Sequence, residues 1–281
     1  MPSRNIQILK ASGEKEAFKK EKLIHSLKRS GADSTEVASV VQEMDEWMFD
    51  GVSSKDIYKK AFSLLKKKRL GAAARYRLKQ AMMEMGPTGY PFEIFIGQIF
   101  KSLGYDVEVG ITLDGVCVTH EVDVIATKGL TQCFVECKYY QRTGKNANVQ
   151  VPLYIRSRVN DLIDKRRQST RWDAFQFEGW IATNTRFTLD AISYGVCSGL
   201  NLLSWDYPEG NSLREIVDRE RIFPITVLTK LTQADKQKLM EMGIVICRQL
   251  SEKKHLLDEM GWDERKRKRV LKEAQVLCTA R

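Results

Sequence analysis

The sequence predicts a multidomain α/β protein: a helix-rich N-terminal domain, an α/β core and a small all-α C-terminal domain. Three observations carry this. Early in the chain, apolar residues recur at helical spacing, first Leu23, Ile24 and Leu27, then Val37, Val40, Val41, Met44 and Met48. Gly86, Pro87, Gly89 and Pro91 then punctuate the chain as a linker does. Beyond them, β-branched runs alternate with helical segments until about residue 223, where helix signals take over again. The expected domains are residues 1–86, 87–223 and 224–281.

The 281 residues hold 46 Lys and Arg against 36 Asp and Glu, a formal charge of +10. Such a balance suits a polyanionic partner: nucleic acid, nucleotide or an anionic membrane surface. Hydrophobic content of 43% and charged content of 29% are those of a folded chain. No apolar run follows Met1, and no stretch approaches the about twenty apolar residues that span a bilayer. The expectation is a cytoplasmic protein with no membrane partner. Six cysteines without framework spacing read as free thiols. Cys117, His120, Cys133 and Cys137 superficially suggest zinc, but strand alternation sets Cys117 and His120 on opposite faces.

Residues 5–11 read as a short apolar strand, followed by a turn at Gly13 and by Glu16–Phe18. The first helix stops at Gly31, and a second runs from Glu36 to Phe49 before Asp50 and Gly51 break it. Ser53 or Ser54 caps a third helix, Lys55 to Lys68, and a fourth covers Ala72 to Met85. There is no G-x-x-x-x-G-K-S/T, which excludes a P-loop. The order of these pieces, with ILKASGEKEAFKKEKLIHSL, DGVSSKDIY and AAARYRL, resembles the ATP-cone domain of ribonucleotide reductases and their repressor. The resemblance implies ATP or dATP as an allosteric ligand. It implies Lys10 and Lys22 on the phosphates, Glu16 beside the nucleotide, and Ser54 and Tyr58 contacting it from the third helix. The family usually has Lys-Arg before its glycine turn, where this chain has Lys10 and Ala11.

The core opens with a helix, Phe92 to Leu103, and a strand, Tyr105 to Ile111. Two more strands, Val118 to Ala126 and Cys133 to Tyr140, flank a Lys-Gly-Leu-Thr turn. Asp123 lies on the first of these, and alternation puts Glu136 and Lys138 on one face of the second. Carboxylates on neighbouring strands can share one hard cation, and a nearby lysine can polarise water or steady phosphate charge. The same residues also serve as plain surface ion pairs. A helix from Val149 to about Arg166 follows, with Lys145, Arg156, Arg158, Lys165, Arg166 and Arg167 as a basic edge. Then come a strand FEGWIA, the segment Thr183–Thr188, a helix Leu189 to Ser198 and a strand Asn201 to Trp205.

This series, with Asp…Glu-x-Lys set in VECKYY, resembles the PD-(D/E)xK nuclease superfamily and its Mrr-like restriction endonuclease branch. The resemblance implies a restriction-endonuclease-like core with a central mixed sheet. It implies Mg²⁺ or Mn²⁺ held by Asp123, Glu136 and the main-chain carbonyl of Cys137, with Lys138 orienting the attacking water. It also implies Glu93 near the metal and Gln150 directed at the site. A first-turn acid such as Glu93 is equally what a helix dipole favours. Lys145 and Arg156 belong to the basic edge that could track DNA phosphates, although a solvated helix face would look the same.

In the last segment, Thr232 caps a helix ending at Gly243, Leu250–Met260 forms a second that stops at Gly261, and Asp263 caps a basic third helix. The layout resembles helix-hairpin-helix domains. That implies phosphate contacts by Lys266, Arg267 and Arg269, although a charge run is usually a solvated face and a docking role is the rival. The chain therefore reads as a metal-dependent DNA endonuclease of restriction or defence type, tuned by a purine nucleotide and compatible with a homodimer. The alternatives are a Holliday-junction or structure-selective resolvase, and a nucleotide-responsive DNA-binding regulator with an inactive nuclease fold.

Overall fold

The computed structural model describes residues 6–10, 13–142 and 144–279. It is a mixed α/β protein whose five-stranded mixed sheet is flanked in sequence by helical N- and C-terminal regions. Two compact units are distinguished, one ending at Leu78 and a larger one spanning Lys79–Cys278. Within the larger unit the C-terminal segment is tied to residues 81–84. Thr226 donates its hydroxyl to the Ala81 carbonyl at 2.8 Å, and buried Lys236 pairs with Glu84 at 3.1 Å.

The N-terminal unit begins with an antiparallel hairpin, β1 (Gln7–Leu9) and β2 (Lys15–Ala17). The ends of the expected first strand, residues 5 and 11, lie outside the described residues. Helices α1 (Lys20–Arg29), α2 (Ser34–Trp47), α3 (Ser54–Lys68) and α4 (Leu70–Met83) follow. Their boundaries have local causes. Gly31 takes φ of 82° after α1, Asp33 and Glu36 form a capping box on α2, and the Ser53 hydroxyl accepts from the Asp56 N–H at the start of α3. Leu27, Val40, Met44, Ala61 and Leu65 form the fully buried centre.

In the larger unit, α5 (Tyr90–Ser102) leads into β3 (Asp106–Asp114), β4 (Thr119–Lys128) and β5 (Thr131–Lys138), an antiparallel meander. A short β6 (Asn146–Ala147) and α6 (Gln150–Arg167) cross to β7 (Gln176–Thr183), which pairs parallel with β5. After β8 (Arg186–Phe187) and α7 (Leu189–Cys197), β9 (Leu200–Leu203) adds parallel to β7. The sheet order is β3-β4-β5-β7-β9. Neighbouring residues of β7 show both faces covered. Ile181 packs with Ile155 and Val159 of α6 and Ala191 of α7, whereas Trp180 meets Phe100 of α5 edge-on at 5.4 Å.

Some elements were invisible in the sequence. The pair β6–β8 has two residues per strand, too few for a period to register. Helix α8 (Leu213–Glu220) did carry a signal, since Ser212 and Glu215 form a capping box. In the C-terminal segment α9 (Gln233–Glu241) starts from Thr232 as expected, but the second helix is broken into α10 (Cys247–Glu252) and a 3₁₀ stretch, Lys254–Met260. Helix α11 (Glu264–Thr279) completes it. Its buried Glu273 accepts from the N–H groups of Thr229 and Lys230 at 2.9 and 3.0 Å, fastening the loop before α9.

Candidate active site

Asp123 owes its position to a glycine. In the β3–β4 ladder Val109 pairs with Val124 and Ile111 with Val122, but Gly110 and Asp123 between them do not pair. Gly110 takes φ of 66°, a conformation costly to any residue with a Cβ, and it breaks the ladder at that point. The β4–β5 pairing likewise ends at Val124 and Val135, one step short of Asp123 and Glu136. Released from both ladders, the Asp123 carboxylate accepts the main-chain N–H of Cys137 at 2.6 Å.

Glu136 and Lys138 share a face of β5, and the lysine donates to Glu136 Oε1 at 2.5 Å. The other oxygen, Oε2, accepts from Arg158 of α6. From the first turn of α5, Glu93 enters the same acidic field. Burial, then the negative charges of Asp123, Glu121 and Glu136, raise its carboxyl to about 7. Burial and Glu136 raise Asp123 to about 6, against the Cys137 hydrogen bond and the positive charges of Lys138 and Arg158. Among the described residues neither Glu93 nor Asp123 forms an ion pair with a basic side chain. The cluster is thus a half-buried concentration of carboxylates with incomplete charge compensation.

The end of β5 is held from β7. Thr183 and Asn184 are fully buried. The Thr183 hydroxyl donates to the Lys138 carbonyl at 2.7 Å, and Asn184 both accepts from the Tyr140 N–H and donates to its carbonyl, each at 2.9 Å. Two unpaired main-chain groups would be costly there, so the Thr-Asn pair fixes the segment after Lys138. Tyr139 is anchored separately, donating its hydroxyl to the Met83 carbonyl at 2.7 Å. Beside it Tyr139, Tyr140, Gln141, Arg142 and Lys145 line an open hollow of about 300 Å³.

The other sequence candidates are distributed as follows. Gln150, the first residue of α6, is exposed and bonds Asn148, not the acids. Lys145 is exposed and Arg156 half-buried. Lys266 is committed to Asp235 at 2.8 Å and Arg267 to Asp258, while Arg269 is exposed. In the N-terminal unit Lys10 and Lys22 converge on Glu16, the latter at 2.9 Å, and hold its carboxyl down at about 2. A bridge between Leu9 and Ser53 brings the start of α3, with Ser54, beside that hairpin. Tyr58 instead stacks on Tyr76, ring centres 5.1 Å apart. Of the cysteine and histidine set, His120 pairs with Asp161 at 2.7 Å and Cys133 contacts Glu178. Sequence reading missed Gly110 as the kink and left Arg158 undistinguished within the basic edge. A glycine inside a β-branched run was the available signal for the first.

Whether the acids suit a metal can be judged from the donors. Among the described residues no three His, Cys, Asp or Glu side chains form a group able to hold an ion by themselves. Two carboxylates such as Asp123 and Glu136 match the donor set of Mg²⁺ sites that keep several waters and take their remaining oxygens from substrate phosphates. The raised Glu93 and Asp123 carboxyls fit this as well, since positive charge among them would relieve their repulsion.

Comparison with known proteins gives relatives without assigned activity. Residues 223–278 match the family described as AF1548-like, C-terminal. An uncharacterized protein of Archaeoglobus fulgidus is 26% identical over 181 residues, covering 64% of this chain and 98% of that protein. The crystal structure of AF1548, a protein of unknown function, superposes with a TM-score of 0.57 at 24% identity, over 69% of this chain and 100% of that one. This likeness shows a shared fold. The MspJI restriction endonuclease, solved with a 27-mer oligonucleotide, aligns with a TM-score of 0.34 at 15% identity, over 61% of this chain and 36% of that one. That overlap is too slight to bear on function. No helix among the described residues is long and apolar enough to cross a membrane.

Proposed function

We propose that the chain is a metal-dependent endodeoxyribonuclease of the PD-(D/E)xK type, hydrolysing DNA phosphodiesters with Mg²⁺ or Mn²⁺. The observation that carries the reading is the grouping of Asp123, Glu136, Lys138 and Glu93 where the β3–β4 ladder is interrupted and the β4–β5 ladder ends, beside the N-terminal turn of α5. Asp123 and Glu136 would hold the cation, aided by the Cys137 carbonyl, and the bound ion would supply Lewis acidity and an activated water. Lys138, already within reach of Glu136, orients that water or meets the phosphate. Glu93, poised at about 7, can accept a proton near neutral pH. The basic excess of the chain favours DNA over neutral partners.

Incubating the protein with supercoiled plasmid, linear duplex and branched DNA in Mg²⁺ or Mn²⁺ tests this. Cleavage by the parent, abolished in Glu136→Ala and Lys138→Ala, is expected. Undiminished cleavage by either variant would sink the site. Preference for branched DNA would favour a resolvase within the same chemistry.

An ATP or dATP input through the N-terminal unit is a second element of the proposal. It is favoured by the convergence of Lys10 and Lys22 on one carboxylate beside the start of α3. Calorimetry with each nucleotide should give heat that Lys10→Ala and Lys22→Ala diminish. No heat from folded protein would remove this input and leave the nuclease reading intact.

A further inference from the structure

Arg158 was one of several cations along α6, yet its surroundings single it out. With Val122, Phe134, Ile155 and Val159 it lines a small hollow that also includes Glu136. Its guanidinium donates to Glu136 Oε2 and to the Glu121 carbonyl, and lies 5.5 Å from the centre of the Tyr154 ring. Guanidinium carries five N–H donors, and two are used here among the described residues. Glu136 therefore has a cationic donor on each oxygen, while Asp123 and Glu93 have none among the described residues. The site places its positive charge on one of its three acids, and the other two carry raised carboxyls.

This inference rests on the nuclease reading for the identity of the cation and the phosphate. A divalent ion shared by Asp123 and Glu136 competes with Arg158 for Glu136, because like charges so close in a half-buried site repel strongly. We propose that Arg158 is a displaceable counter-ion. It neutralises Glu136 in the metal-free protein, yields that carboxylate to the cation, and then presents its fork to a non-bridging phosphate oxygen of DNA. A planar guanidinium suits both tasks, since carboxylate and phosphate offer it the same spaced pair of acceptors. The Glu121 carbonyl and the Tyr154 ring, acceptors that carry no net charge, remain to guide the head group.

The proposal predicts opposite effects on two ligands, which a merely structural arginine would not give. R158Q in the full chain, with folding checked by circular dichroism, is titrated with Mn²⁺ alone by calorimetry. It should bind Mn²⁺ about tenfold tighter than the parent, because a competing positive charge is gone. With Ca²⁺ present to permit binding without cutting, its affinity for duplex DNA should fall about tenfold, the loss of one charge-assisted contact. Unchanged or weaker Mn²⁺ binding in folded R158Q would overturn the proposal. A second variant covers the case in which R158Q does not fold. In EDTA, E136Q frees Arg158 without metal and should bind DNA more tightly than the parent; equal or weaker binding would also overturn it. Failure here is separable from failure of the nuclease reading. A parent that cuts no DNA while R158Q shows the Mn²⁺ gain retires the nuclease alone, and a parent that cuts while R158Q shows no gain retires the counter-ion alone.

Discussion

The main-chain N–H of Cys137 donates to the Asp123 carboxylate at 2.6 Å, a side chain taking the place of a ladder bond where β4 and β5 stop pairing. The bond fastens Asp123 to β5 beside Glu136 and makes the site depend on how the ladders are interrupted. The first prediction concerns that interruption. Gly110→Val places a β-branched residue at φ of 66°. The strain should cost about 1–3 kcal/mol, read as a lower urea midpoint. If β3 relaxes so that position 110 pairs with Asp123, cleavage should fall more than stability does. A variant with parental stability and activity would show that the kink is dispensable.

The acids should destabilise the metal-free fold as pH rises. Glu93 has a folded value of about 7 against an ordinary value near 4.5. Between those values the folded protein retains a proton that the unfolded chain has released, so stability falls as pH climbs from about 4.5 to about 7 and then levels off. Glu93→Gln should therefore raise the melting temperature at pH 8. Allowing for the solvent screening of a half-exposed group, the gain is about 1 kcal/mol. At pH 4, where both forms are neutral, parent and variant should melt together. A variant that melts lower at pH 8 would remove the claim of uncompensated charge.

Added Mn²⁺ should reverse this effect. Ligand carboxylates must be deprotonated to bind, and Asp123 reaches its midpoint at about 6. Melting scans with and without Mn²⁺ should separate clearly at pH 8 and converge at pH 5, and EDTA should restore the metal-free curve. Equal shifts at both pH values would indicate binding elsewhere.

Tyr139 links the residue after Lys138 to the Met83 carbonyl. Tyr139→Phe keeps the ring against Phe92, whose centre is 5.8 Å away, and loses only the hydroxyl. The expected cost is about 1–2 kcal/mol, because a partly buried carbonyl is left without its donor. Chemical denaturation measures it, and no change would mean that water replaces the bond.

In the C-terminal segment Asp235 is lowered to about 2; burial opposes this, but hydrogen bonds from Lys266, Thr232 and Trp262 prevail. A depressed carboxyl stabilises fully above its ordinary value near 3.8, and that stability is lost as pH falls toward 2. Hydrogen exchange in α9 and α11 should accelerate between those limits. Asp235→Asn should show the faster exchange already at pH 7, and unchanged protection there would show that the ion pair contributes little.

Much of the fold was legible because its causes are local. Gly31, Asp33, Ser53 and Thr232 mark helix ends that occur where capping chemistry puts them. The split of the second C-terminal helix was not legible, since its apolar spacing fits one continuous helix as well as two short pieces. The segment Thr183–Thr188 was legible only as a connection after a strand, and the parallel pairing of β5 with β7 is what brings Thr183 and Asn184 to the main chain of Lys138 and Tyr140.

By itself, the sequence determined the alternation that sets Glu136 and Lys138 on one face, the helix punctuation and the basic excess, all properties of a chain and its near neighbours. Tertiary structure alone decided which charges meet. It turned Asp123 out of its ladder at Gly110, committed Lys266 to Asp235, and placed Arg158 on a carboxylate 22 residues away. Pairing between distant side chains depends on register and packing, and no local spacing encodes either.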